Sequence, residues 1–138
     1  MGVIGKTAVS LRFRGDKLQP DALSALLRCQ PDASAPTGGT WHTRDGIERI
    51  ASTGMWHKAV ARRLPGNLDG QVAELLALMT SDLAVWRHLT MDFSADVFRG
   101  LFLSESNQGL TLGPATLLSL GERGLRLDLN VYGMVEGR

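Results

Sequence analysis

The segment Gly124-Leu125-Arg126-Leu127-Asp128-Leu129-Asn130-Val131-Tyr132 decides the fold of this 138-residue chain. After Gly124 apolar and polar residues alternate, which is the period of a strand with one buried face. Before it, Pro114 suits the first turn of a helix, where its missing N–H has no intrahelical partner. The stripe that follows predicts a helix to about Arg123, and it contains the leucines Leu117, Leu118 and Leu120.

Upstream of this unit the chain alternates strands and helices. The period of two predicts strands at Thr7 to Arg14, Ile47 to Ser52, Met55 to Arg62 and Asp92 to Leu103. Helical stripes predict a helix at Pro20 to Cys29 and a second one from Leu68 to Leu89 that kinks near Thr80-Ser81. The stretch from Gln30 to Gly46 is rich in Pro, Gly, Ser and Thr and predicts a long loop.

This order of elements predicts an α+β fold. The first six elements follow a ferredoxin-like split β-α-β order, in which helices cover one sheet face and leave the other open. The C-terminal helix and strand extend that unit, and we expect the last strand to lie parallel to the Asp92 strand. A chain of 138 residues fits a single domain that spans residues 1–138.

Composition limits the partners and the compartment. The net charge of +1 is too small for a nucleic-acid binder, and no stretch reaches the ~18 apolar residues of a membrane span. The single Cys29 cannot form an internal disulfide, and the N-terminus lacks the apolar region of a signal peptide. We therefore expect a cytoplasmic protein that binds neither nucleic acid nor membrane.

No motif for catalysis, metal or cofactor binding is present in the sequence. The histidines His42, His57 and His88 lack the spacing of a zinc site, and Gly2 to Thr7 lacks the strand and helix that flank a phosphate-binding loop. Fourteen carboxylates are available, but nothing in the sequence selects a pair of them. We expect no metal and no cofactor, and we assign no catalytic residue.

Two groups of residues are candidates for binding. Arg12 and Arg14 on the first strand converge with Asp128, Asn130 and Tyr132 on the last strand if the two strands are neighbours; a solvated sheet face explains the same pattern. The second group is the repeated Trp-His dipeptide at 41–42 and 56–57. Trp41 and Trp56 fit a binding hot spot or, equally, a loop that caps the core.

Phe98 and Phe102 share a strand face with Ser94 and Asp96, which should be the solvent side of the sheet. Two exposed phenylalanines on one face would leave an apolar patch. We therefore expect self-association into a homodimer, or another protein contact, through this face.

One resemblance covers most of the chain, from about Thr7 to Tyr132. It rests on the Gly15-Asp16 turn with Leu18 and Pro20, on Trp41 and Trp56, and above all on two segments: Ser104-Glu105-Ser106-Asn107-Gln108-Gly109-Leu110-Thr111-Leu112 and Leu127-Asp128-Leu129-Asn130-Val131-Tyr132. These residues resemble the bacterial family known as domain of unknown function 4279. The resemblance implies a small intracellular bacterial domain and supplies no catalytic residues. By analogy with small domains encoded near toxin genes, it favours an immunity or accessory role.

These observations leave three hypotheses open. The leading one is a non-enzymatic intracellular protein-interaction domain, such as an immunity or accessory protein. The alternatives are a small-ligand-binding domain and an uncharacterised enzyme, each with a pocket near the loop from Trp41 to Trp56. A ligand binder should show a concave cavity with convergent polar groups, and an enzyme should show coupled carboxylates or a histidine with a shifted pKa inside it.

Overall fold

A computed structural model describes residues 2–3, 6–63, 67–102, 108–109 and 111–132, and the side chains at 8–61, 67–100 and 111–131. The strands are β1 (Gly2–Val3), β2 (Lys6–Gly15), β3 (Ala33–Ala35), β4 (Thr40–His42), β5 (Glu48–Ile50), β6 (Gly54–Arg63), β7 (Ser94–Phe102), β8 (Gln108–Gly109) and β9 (Arg126–Tyr132). The helices are α1 (Pro20–Leu27), α2 (Leu68–Ala77), α3 (Leu83–Asp92) and α4 (Pro114–Glu122).

The central sheet is mixed and has the strand order β3-β6-β2-β7-β9. Neighbouring strands are antiparallel except for β7 and β9, which are parallel as the crossover through α4 requires. Two short pairs lie outside this sheet, β1 with β8 and β4 with β5. The predicted α+β class and the predicted parallel pairing of the last strand are both confirmed.

All four helices contribute to one core against the same face of the sheet. Val9, Leu11 and Phe13 of β2 point into this core, and the register places Trp56 of β6 and Ala95 of β7 beside Phe13. From the helices it receives Leu23, Leu27, Val72, Leu75, Trp86, Leu89 and Leu120. This alternation on β2 agrees with the sequence pattern, and it leaves Ser10, Arg12 and Arg14 on the opposite face.

The middle of the chain differs from the prediction. Part of the strand predicted at Ile47 to Ser52 forms β5, which pairs with β4 in the separate two-stranded sheet and not with β6. The place beside β6 is taken by β3, within the stretch predicted as a loop. Its Ala-Ser-Ala sequence has almost no strand propensity, so the pattern gave no signal. The ferredoxin-like order is therefore not confirmed in the form predicted.

The long helix predicted from Leu68 to Leu89 is in fact two helices. Asn67 caps α2 by accepting a hydrogen bond from the Gly70 N–H at 3.0 Å. Asp82 caps α3 in the same way, accepting from the Ala84 N–H at 3.0 Å. A capping aspartate marks a new helix start and not a kink, because its backbone is extended. No helix within the described ranges has the length and apolar character needed to cross a bilayer.

The β4–β5 hairpin lies over part of the sheet face that the helices leave open. Its turn is closed by hydrogen bonds from the N–H groups of Gly46 and Ile47 to Thr43, and Gly46 adopts the left-handed φ of 83° that such a turn favours. Trp41 of β4 packs with Met55, Ala35 and Ala51, which form a second, small apolar cluster. The hairpin thus turns a flat sheet face into a concave one.

Candidate functional site

A charged cluster lies at the centre of the open face. The guanidinium of Arg12 donates to both carboxylate oxygens of Asp96, from Nε at 2.8 Å and from Nη2 at 3.0 Å. The same Nη2 lies 3.6 Å from Oδ2 of Asp128, two strands away. The Arg12 Cζ atom lies 4.3 Å from the ring centroid of Phe98, in the range of a cation–π contact. The cluster therefore ties β2, β7 and β9 together.

The two carboxyl groups of this cluster interact with each other. Burial raises the pKa of Asp96, but hydrogen bonds from Arg12 and Asp128 and the charges of Arg12 and Arg14 outweigh burial and hold that pKa below its usual range. The pKa of Asp128 is raised, chiefly by its hydrogen bond with Asp96. Desolvation and the negative charge of Asp96 raise it further. One proton is therefore held more easily by Asp128, the more exposed member of the pair.

A groove with a volume of about 640 Å³ lies between the open face and the hairpin. Its floor consists of small residues on the two central strands, Ala8, Ser10, Ala59 and Ala61. Trp41 to Arg44 of the hairpin line the groove, as do His57 and Phe98 on the sheet, and we call this space the hairpin groove. Small side chains on the floor leave room that larger residues would have filled, so the concavity is built into the sequence.

Among the described lining residues, His57 has a pKa far from its ordinary value. Burial, with the nearby positive charges of Arg14 and Arg12, lowers the pKa of His57 to about 4, so its ring is neutral at pH 7. Its Nε2 atom is buried and has no hydrogen-bond partner within the described ranges. The ring packs edge to face against Trp41, with the centroids 6.4 Å apart. Because the Nε2 nitrogen is inaccessible to solvent, it does not offer a hydrogen bond to a molecule in the groove.

The uncompensated charge among the described lining residues of the groove is positive. Asp32 and Arg44 are the charged ones among them. Asp32 accepts a hydrogen bond from the Ala59 N–H at 2.8 Å and pairs with Lys58 at 3.4 Å, so its charge is compensated. The exposed Arg44 has no ion pair with any residue in the described ranges.

The structure brings together part of the predicted site. Arg12, Phe98 and Asp128 converge, although the first and last strands are not neighbours, because β7 lies between them. Arg14 and Asn130 are exposed on their strands, and the charge of Arg14 helps to lower the pKa of Asp96. The side chains of Phe102 and Tyr132 lie outside the described residues; their backbones pair with each other across β7 and β9. Trp41 lines the hairpin groove, as a binding role requires.

Trp56 is a correction to the predicted site. Its side chain is fully buried in the helix-side core, where Nε1 donates to Oγ of Ser24 at 3.0 Å and the ring packs against Phe13. The alternation of β6 explains this placement, because Trp56 and His57 are adjacent and must point to opposite faces. The dipeptide therefore contributes its histidine to the groove and its tryptophan to the core.

Sequence reasoning missed two charged residues of the sheet. Asp96 holds the cluster together, and its position on the same face as Phe98 was the available signal. Arg99 is fully buried on the helix side, opposite Val9, and its three guanidinium nitrogens have no hydrogen-bond partner among the described residues. Burial lowers the pKa of Arg99 to about 10. The available signal was its place in the alternation, because Arg99 shares a strand face with Ala95 and Val97.

No group of three or more His, Cys, Asp or Glu side chains in the described ranges could hold a metal ion.

Comparison with known proteins gives a family and no activity. A family model described as a domain of unknown function, DUF4279, matches residues 5–134. No curated protein and no solved structure matches the chain. Since the match covers nearly all of the sequence and includes every part of the site, this chain belongs to the DUF4279 family.

Proposed function

We propose that this protein is a binding domain that holds a small aromatic anion in the hairpin groove. The observation that carries the proposal is the groove itself, whose volume of about 640 Å³ falls in the range of small-molecule sites. A ring of Trp41 on the hairpin side and one of Phe98 on the sheet side are suited to contact a planar ligand.

The charges and hydrogen-bonding groups support an anionic ligand. Arg44 lies at the groove wall without an ion pair in the described ranges, and Arg12 and Arg14 add positive potential close enough to affect His57. Asp32, the carboxylate among the described lining residues, is already paired with Lys58. A cationic ligand would find no uncompensated carboxylate among the described lining residues.

Calorimetric titration with three naphthalene derivatives tests this proposal. Naphthalene-2-carboxylate should bind at least about tenfold more tightly than 2-naphthylmethanol or 2-naphthylmethylammonium, a difference of about 1.4 kcal/mol. Trp41→Ala and Arg44→Gln should each weaken binding of the carboxylate, whereas Arg87→Gln, an exposed arginine on α3, should not. Equal binding of the three probes, or equal binding by Arg44→Gln and Arg87→Gln, would contradict the proposal.

A protein partner, as an immunity or accessory role requires, is the second candidate. The observation that favours it is a pair of exposed isoleucines on the hairpin, Ile47 at 51% and Ile50 at 74% exposure. Exposed aliphatic residues next to a groove are typical of a contact surface. In co-purification from the native host, Ile50→Ser should lose a specific partner that Leu78→Ser, an exposed leucine next to α2, retains. Equal recovery by both variants would count against this candidate.

A further inference from the structure

The two edges of the central sheet are built differently. β3 at one edge has three residues and is flanked by Pro31 and Pro36, which cannot donate backbone hydrogen bonds. β9 at the other edge has seven residues, contains no proline and pairs with β7 without a register shift. Short strands and prolines protect an edge from pairing with another chain, and a long regular strand does not.

Large apolar side chains are exposed along β9 and on the helix packed against it. Leu129 and Val131 on β9 are 51% and 54% exposed, although their strand alternation assigns them to the buried face. Leu117 and Leu118 on α4 are 54% and 64% exposed. The first part of β9 behaves differently, since Leu125 just before it is buried and Leu127 is half-buried. The helix layer therefore ends before it covers the second half of this strand.

The sequence of β9 is complementary to itself. In an antiparallel pair of two β9 strands centred on Leu129, Leu127 of one copy lies opposite Val131 of the other, and Asp128 lies opposite Asn130. Apolar residues then face apolar residues on one side, and no like charges meet on the other. A pair centred on Asp128 would place the two aspartates opposite each other, which is unfavourable.

We propose that two copies of this chain associate through β9, with antiparallel pairing centred on Leu129 that joins the two central sheets into one. The occupant of the exposed edge is a second copy, because the charges and the apolar residues of β9 are complementary when two β9 strands pair in the antiparallel direction. This surface is distinct from the Phe98 face predicted for a homodimer. Phe98 is half-buried under the Arg12 guanidinium, so the patch that motivated that prediction is reduced.

Light scattering coupled to gel filtration tests the association. The wild-type protein should have the mass of a dimer, and Leu129→Lys should have the mass of a monomer, because a charge at the centre would meet its copy. Ile50→Lys introduces the same charge at an exposed residue of the hairpin and should remain dimeric. A monomeric wild type across the micromolar range, or a dimeric Leu129→Lys protein, would overturn the proposal.

A disulfide test fixes the register and does not depend on the lysine variant folding. In a Cys29→Ser background, Leu129→Cys places two thiols directly opposite each other across the two-fold axis, within disulfide reach. Mild oxidation should then give a covalent dimer on a non-reducing gel, whereas Leu118→Cys, exposed on α4, should stay monomeric on the gel. No cross-link at position 129, or equal cross-linking at both positions, would contradict the register.

Discussion

The two faces of the central sheet carry different kinds of residue. On the helix side, Leu11, Phe13 and Val97 are fully buried in one continuous core. On the open side, the same strands carry the Arg12 cluster and a row of small residues beneath the hairpin. The first face therefore serves stability, and the second holds a specific arrangement of charge and space. Substitutions on each face should therefore differ in kind as well as in size.

The largest effect is expected on the helix face. Leu11→Ala removes a fully buried side chain at the centre of β2 and should lower the free energy of unfolding by about 3–5 kcal/mol, the upper part of the range for buried leucines. Ser10→Ala, the adjacent residue on the open face, should change it by less than about 0.5 kcal/mol. Urea denaturation of both variants measures the contrast, and similar midpoints would show that the two faces are not distinct.

Breaking the charged cluster should produce the next largest effect. Arg12→Ala leaves the buried carboxylate of Asp96 without its bidentate partner, so we expect a loss of about 2–3 kcal/mol, somewhat less than for a fully buried ion pair. Arg14→Ala, an exposed arginine on the same strand, should cost less than about 0.5 kcal/mol. Equal stability of the two variants would mean that the cluster is weakly populated in solution.

Arg99 is the exception on the helix face, and its replacement should stabilise the protein. Its guanidinium is buried without a hydrogen-bond partner in the part of the chain that the structure describes, so Arg99→Met should keep the packing, remove the desolvation cost of the charge and raise the free energy of unfolding by about 1 kcal/mol. Arg87→Met on the surface of α3 is the control and should be neutral. A destabilisation by Arg99→Met in thermal or urea unfolding would show that the charge is paired in solution.

The last expected effect appears only in acid, as a pH dependence of stability from His57. Its pKa is about 4 in the folded state against 6.5 for the unfolded chain, so the unfolded state binds more protons between these values. The contribution of His57 should therefore reduce stability as the pH falls from 6.5 to 4. Arg12, Arg14 and Asp96 face this ring, and they remain in the His57→Gln control.

The difference between wild type and His57→Gln isolates that contribution from the carboxyl pair. The raised pKa of Asp128 acts in the opposite sense, since it favours the folded state at lower pH, and it is present in both proteins. Unfolding curves at several pH values should show a wild-type stability that falls more steeply with acid than that of the variant. Parallel curves would indicate that the His57 ring is solvated.

Strand periodicity and helix signals were enough to predict the helix face. The alternation at Val9, Leu11 and Phe13 and the Pro114 helix start all match the structure, because burial against a single helix layer imposes a strict period. The open face was less predictable. Trp41 was selected as a candidate because an aromatic residue stands out in a polar loop. Asp96 could be recognised as the partner of Arg12 only from the register, which places Arg12 beside it.

The alternative hypotheses placed a pocket near the loop from Trp41 to Trp56, but the walls of the hairpin groove could not be predicted from the sequence. They depend on where β4 and β5 pair, and a three-residue strand carries too little pattern to fix its partner. The assignment of Trp56 failed for a related reason, since adjacent residues of one strand point to opposite faces and the composition of the segment does not say which side is buried.

One spectrum can test the central claim that the open face carries the binding site. The three tryptophan indole N–H signals report different places: Trp41 lies in the hairpin groove, Trp56 in the core, and Trp86 on the helix side, where the Cζ of Arg123 lies 5.7 Å from its ring. During titration with naphthalene-2-carboxylate, a binding site in the hairpin groove predicts a saturable shift of the Trp41 signal alone. A shift of the Trp86 signal with Trp41 unchanged, or no shift of any indole, would contradict it.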